Sequence, residues 1–276
     1  MIAKGSDLPN APRGIFLQVA GIALLLQAIA LMVPLAGAGW LSLQAESDGA
    51  LSFTAWTRLA GSPEARAALF NSLLLAAVTA VATVLLGIPL AFAVLRARRW
   101  LGRLLLAVIL ILCFADPGIR ILGWMLVFKD LIASGTLPLL LGGGFIAECI
   151  AATHAWLPLA TIILLAGFAR VDQVVLDAAR ECGATAFTLL RRILLPQSWF
   201  VAGFAAAVTF CGSLGSFLEP RLLGTVDDQQ ASEWLQRALE SETGWPYAAT
   251  MLLLMLVLSV LPLLGLLFLR ARKVMA

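Results

Sequence analysis

Charge is what this sequence has least of. Only 13% of its 276 residues are Asp, Glu, Lys or Arg, where a soluble globular domain carries about 25%. A chain so poor in charge, and 61% hydrophobic, cannot cover its own surface with polar groups. That excludes an ordinary water-soluble domain; the solvent that suits it is lipid. Histidine is reduced to His154, which excludes a zinc site built on a histidine cluster. The four cysteines, Cys113, Cys149, Cys182 and Cys211, form no C-x-x-C pair. Three of them fall in apolar runs, so they are expected as small buried packing residues without a metal or redox role. The three lysines, Lys4, Lys129 and Lys273, sit in no G-x-x-x-x-G-K-[ST] loop, so the sequence offers no backbone cradle for nucleotide phosphates. A net charge of +3, scattered along the chain, is too small to suggest a nucleic-acid surface.

What the sequence does have is long apolar runs. A hydrocarbon core of about 30 Å needs about 20 apolar residues of helix. Six segments qualify: Ile15–Ala36, Ala67–Leu95, Leu101–Phe128, Phe145–Phe168, Trp199–Leu218 and Tyr247–Leu269. The third is interrupted by Asp116-Pro117. The first is preceded by Lys4 and Arg13 and followed by Ala36-Gly37-Ala38, which imitates a signal peptide. Its apolar run is longer than the roughly 7–15 residues of a signal core, so it reads as a retained span. The expected fold class is therefore all-α, a polytopic membrane protein with six transmembrane helices.

An even number of spans puts both termini on one side, and the charges say which. With the N-terminus inside, the inner segments hold thirteen of the nineteen basic residues, including Arg96, Arg98, Arg99, Arg103, Arg191, Arg192, Arg270 and Arg272. They hold only four of the sixteen acids, leaving twelve for the outer segments. The Lys/Arg bias predicts cytoplasmic termini. The chain divides into residues 1–66 (tail, first span and outer loop), 67–270 (the core, with an inner loop at 170–198) and 271–276 (a tail).

That inner loop differs in composition from the rest. Two short amphipathic helices fit it. The first, Asp172–Cys182, carries Val175, Ala178, Ala179 and Cys182 at helical spacing, and Gly183 ends it as a residue tolerant of positive φ. The second, Ala184–Ile193, carries Phe187, Leu190 and Ile193 on one stripe, and Pro196 is expected to restart the chain into the fifth span. The order Asp177-Ala178-Ala179, Gly183, Ile193, Leu195-Pro196 resembles the EAA loop of type I ABC importer permeases. That pattern is E-A-A, three residues, Gly, nine residues, Ile, one residue and Leu-Pro. The departure is Asp177 in place of Glu, which keeps the charge and shortens its reach.

The resemblance implies a type I ABC importer permease fold in a bacterial inner membrane, and no enzyme activity in this chain. It implies that Asp177, Ala178, Ala179, Gly183, Phe187, Ile193 and Pro196 couple the chain to an ATPase subunit dimer, which would bind the ATP and magnesium. It further implies a second homologous permease and a periplasmic or extracellular solute-binding protein. Three short segments are similar to polyamine (spermidine/putrescine) permeases: Ile119 to Trp124, Pro220 to Gly224 and Trp245 to Ala249. A polyamine-like cation is the implied solute, with an opine, an amino-acid-like solute or iron as alternatives.

Ionisable residues at membrane depth default to functional candidates. Asp116, Trp124, Glu148 and Glu219 are the candidates for a solute pathway. Asp116 either faces that pathway or pairs locally with Arg120 at i,i+4, while Glu148, His154 and Glu219 also fit anchors at the water interface. The tryptophans near span ends, among them Trp40, Trp156 and Trp245, fit an aromatic belt. Two rival functions remain: an intramembrane serine hydrolase using His154 with Ser213 or Ser216, and an autonomous channel or secondary transporter.

Overall fold

The computed structural model describes residues 13–44, 51–133, 144–225, 229–241 and 244–275. Lys4, which precedes the first apolar run, lies outside them. Among the described residues the chain is helical, with one isolated bridge, Gln44 to Leu51, outside the helices. The helices are α1 (Arg13–Ser42), α2 (Thr54–Gly61), α3 (Pro63–Arg96), α4 (Arg99–Phe114), α5 (Pro117–Ala133) and α6 (Phe145–Phe168). There follow α7 (Gln173–Glu181), α8 (Ala186–Leu189), a π-helical turn (Leu190–Leu194), α9 (Leu195–Gln197) and α10 (Trp199–Leu214). Finally come α11 (Leu218–Leu223), α12 (Ala231–Glu240) and α13 (Trp245–Met275).

Small residues decide where these helices meet. On α3 one buried row reads Ala68, Ser72, Ala76, Thr79, Thr83, Gly87 and Ala91, three or four residues apart. Packing between apolar helices in lipid favours such residues because the backbones approach closely. A Cβ at Gly87 would stand 2.9 Å from Leu164 Cδ1 of α6, and one at Gly203 would stand 2.7 Å from Leu266 Cδ1 of α13. The core is thus α3 packed on α6 and α10, with α13 laid against α10 and α1 against α13. Thr83 Oγ1 and Thr209 Oγ1 join α3 to α10 at 3.2 Å inside it. No residue of the apolar window of α1 is buried; this helix stands at the margin.

Among the described residues four helices are long and apolar enough to cross a membrane, and six if two bent pairs each count as one span. The bends are the main departure from the sequence reading. Helices α4 and α5 meet at 96°, so the third segment is an elbow and not one rod. Pro117 opens α5 because it has no N–H to donate to the preceding turn. Asp116 caps it, Oδ1 accepting from the Ile119 N–H at 3.3 Å. The second bend is 75°, between the Ala186–Gln197 stretch and α10. Pro196 was expected to mark that restart. It lies inside α9, and the chain turns at buried Ser198, two residues later. The fifth apolar helix also stops earlier than expected, at Leu214, and the chain after it folds into α11 and α12. The cysteines are less buried than expected: Cys113, Cys149 and Cys211 are half-buried and Cys182 is exposed.

Candidate functional sites: a surface helix and a charged cavity

Helix α7 is fixed at three points. At its start Asp172 Oδ1 accepts from the Val174 N–H at 2.9 Å. At its end the Ala184 N–H reaches Ala179 O at 3.0 Å and the Gly183 N–H reaches Arg180 O at 2.9 Å. Together with φ of +78° at Gly183, that is the paired closure of a left-handed glycine stop. Between the ends, Leu176 is 3% exposed and packs with Phe168, Leu189 and Leu194. Thr185 then caps α8, its Oγ1 accepting from the Thr188 N–H at 3.2 Å.

The apolar stripe expected on α7 does not face inward. Of Val175, Ala178, Ala179 and Cys182, only Ala179 packs against the core; the other three are exposed. The inward anchor is Leu176, which a stripe drawn through Val175 and Ala178 misses by one position. The loop therefore shows the outside Val174 at 72% exposed, Val175, Ala178 and, from α8, Phe187 at 67%. Ile193 and Leu190 turn back onto the core, and Pro196 is exposed. Asp177 is exposed and ion-paired with Arg180 of its own helix. Arg96 and Arg180 lie beside the seat of Leu176, and the Arg270 guanidinium sits 4.5 Å over the Phe200 ring. Basic side chains thus gather at this end of the bundle.

The second site is a cavity of about 430 Å³ at the α4–α5 elbow, walled by Pro117 and Arg120 of the elbow, Ala155 and Trp156 of α6, Ser216, and Glu219 of α11. The Trp156 ring fills the space a side chain at Gly212 would need, so this tryptophan belongs to the interior and not to a belt. Arg120 Nη1 donates to Ala155 O at 3.1 Å. The expected Asp116–Arg120 pair is not formed: Asp116 is exposed and its carboxylate caps α5. Glu219, named both as a pathway candidate and as a possible interfacial anchor, is 4% exposed, accepts from Ser216 Oγ and stands in the cavity wall.

The other two pathway candidates lie elsewhere. Trp124 packs in the cluster of Ile121, Phe128 and Leu223, stacked on Phe128 with centroids 5.2 Å apart and edge-on to His154 at 5.7 Å. Glu148 is fully buried. Gln230 Nε2 donates to its Oε2 at 2.9 Å, Ser72 Oγ donates to Gln230 Oε1 at 3.0 Å, and the Ala231 N–H donates to Ser72 Oγ at 2.8 Å. That chain ties α6, α3 and α12 together and keeps Glu148 from water. Ser216 is bonded to Glu219, Ser213 Oγ is buried without a partner, and neither serine bonds His154. A Ser–His dyad is not assembled.

A family profile described as "binding-protein-dependent transport system inner membrane component" matches residues 59–273. The chain belongs to that family. The permease fold is found again in solved structures. A bacterial ABC transporter involved in the import of the acidic polysaccharide alginate superposes with a TM-score of 0.73 at 16% identity, over 94% of this chain and 98% of that one. The MetNI methionine ABC transporter superposes with a TM-score of 0.60 at 18% identity, over 74% and 94%. Among relatives in sequence, the probable ABC transporter permease protein y4fN of Sinorhizobium fredii (strain NBRC 101917 / NGR234) is 30% identical over 202 residues, 66% of this permease. The match spans 33% of the length of that relative.

Proposed function

We propose that this permease is one transmembrane subunit of an ATP-driven, binding-protein-dependent importer of a small organic solute, working by alternating access. The observation that carries the reading is the α7–α8 loop, a rigidly capped surface helix pair showing Val174, Val175, Ala178 and Phe187 to the outside. An ATPase dimer docks there and holds the ATP and magnesium, since this sequence has no loop of its own for phosphates. A second permease completes the pathway and an external binding protein delivers the solute. The arginines gathered near α7 support a cytoplasmic placement of that loop and of both termini.

Within that reading, the resemblance of three short segments supports a polyamine-like cation. The twelve acids of the expected outer segments would raise the local concentration of a cation, an effect that salt weakens. Glu219 in the cavity wall is a carboxylate such a solute would meet. The test is reconstitution of the complex in vesicles with the binding protein outside. ATP-dependent accumulation of a small organic solute is the expected result, and of spermidine if that solute is a polyamine. Failure to co-purify with an ATPase subunit would remove the importer reading; import of another solute alone would remove only the polyamine.

A further inference from the structure

The cavity at the α4–α5 elbow carries one fixed charge of each sign. Arg120 and Glu219 line the same space of about 430 Å³, yet make no ion pair with each other. Arg120 commits one Nη to Ala155 O, and its Nε is buried without an acceptor. Glu219, itself 4% exposed, takes only the Ser216 hydroxyl. Glu219 is buried and Arg120 half-buried; opposite charges drawn out of water and left apart are costly, and bridging them by matching charges recovers part of that cost. The volume lies in the range of small-molecule sites, roughly 300–1,000 Å³.

We propose that this cavity binds a zwitterionic solute of amino-acid size, its carboxylate held by Arg120, its ammonium group by Glu219, and its carbon skeleton laid along Trp156. The proposal rests on the importer reading and not on the polyamine: the solute needs a carboxylate as well as an ammonium group, so a preference for amines would leave the polyamine standing in its place. A dication would set one ammonium against the Arg120 guanidinium and an anion would meet Glu219. A repulsive element of this kind excludes the wrong ligand as effectively as attraction selects the right one.

Matched pairs that differ by one carboxylate test it: ornithine against putrescine, lysine against cadaverine and arginine against agmatine. The whole importer in vesicles, with its binding protein, is offered each compound, and the ratio of zwitterion to amine imported is read within one preparation. At least one zwitterion should be imported about tenfold better than its amine, the scale of a charged hydrogen bond. Arg120→Gln should lower that ratio about tenfold with the same binding protein, while Arg120→Lys keeps it. Because the readout is a ratio, a poorly assembled variant does not imitate the result. Preference for the amines, import of no pair member by an assembled complex, or an unchanged ratio in Arg120→Gln would overturn the zwitterion site. ATP-driven uptake of any other solute would still leave the importer reading standing; a chain that binds no ATPase would end both.

Discussion

At the scale of single residues, burial turns an ordinary carboxylate into a tie rod. Glu148 reaches Gln230 in a fully buried contact, and a hydrogen bond to a charged group is worth about 1.5–3 kcal/mol net. Gln230→Ala is therefore expected to destabilise the permease by about 2–4 kcal/mol, because it strips Glu148 and Ser72 of a shared partner. Thermal unfolding in detergent of the single and double variants at 148 and 230 measures the coupling. Additive effects of the two substitutions would show that the bond contributes nothing. None of this was legible in the sequence. Glu148 near a span end reads as an interfacial charge, and nothing local announces that Gln230, 82 residues later, will fold over it.

At the scale of elements, the α7–α8 loop was the most legible part of the chain. Its boundaries follow from local chemistry: Asp172 as cap, Gly183 as stop and Thr185 as the next cap all act within a few residues. Gly183→Asp puts a Cβ at φ of +78°, a strain of about 1–2 kcal/mol, and unlocks the angle between α7 and α8. The variant should insert and fold yet lose ATPase binding or uptake; wild-type uptake by a fully assembled complex would show the angle to be immaterial. Asp177→Lys places a like charge beside Arg180, with which Asp177 now pairs. It should weaken ATPase assembly and raise ATP hydrolysed per solute imported, and an unchanged ratio would reduce Asp177 to a solvated surface charge. Which face of α7 turns inward was not legible, because Val175 and Leu176 fit apolar stripes equally well and only the seat among Phe168, Leu189 and Leu194 chooses between them. The elbows escaped the sequence for a similar reason. Asp116-Pro117 marks a break, but its angle depends on what α5 packs against, here α6 and α11.

At the scale of the whole molecule, the count of apolar runs gave the class of fold, and the small-residue face of α3 gave the core. The margin is different. Helix α1 packs on α13, and none of its apolar window is buried. A chain beginning at residue 51, before α2, should still insert and keep the α3–α6–α10 core, losing less than about 3 kcal/mol of stability, which is the scale of burying one large side chain. Urea or thermal unfolding of the shortened chain in bilayer mimetics measures this, and failure to insert would make α1 part of the core. The same bundle has one mechanical property set by Leu176. It is the one fully seated residue of α7, with half-buried Ala179 beside it on the core, and withdrawing that leucine from its seat costs about 1.5–3 kcal/mol. A pull on the exposed face of α7 weaker than that seat reaches the core through Leu176 and Ala179, and a stronger one reaches it only through the chain on either side. The seat of Leu176 thus sets the stiffness of the loop, a tight link under a modest load and a slack one beyond it.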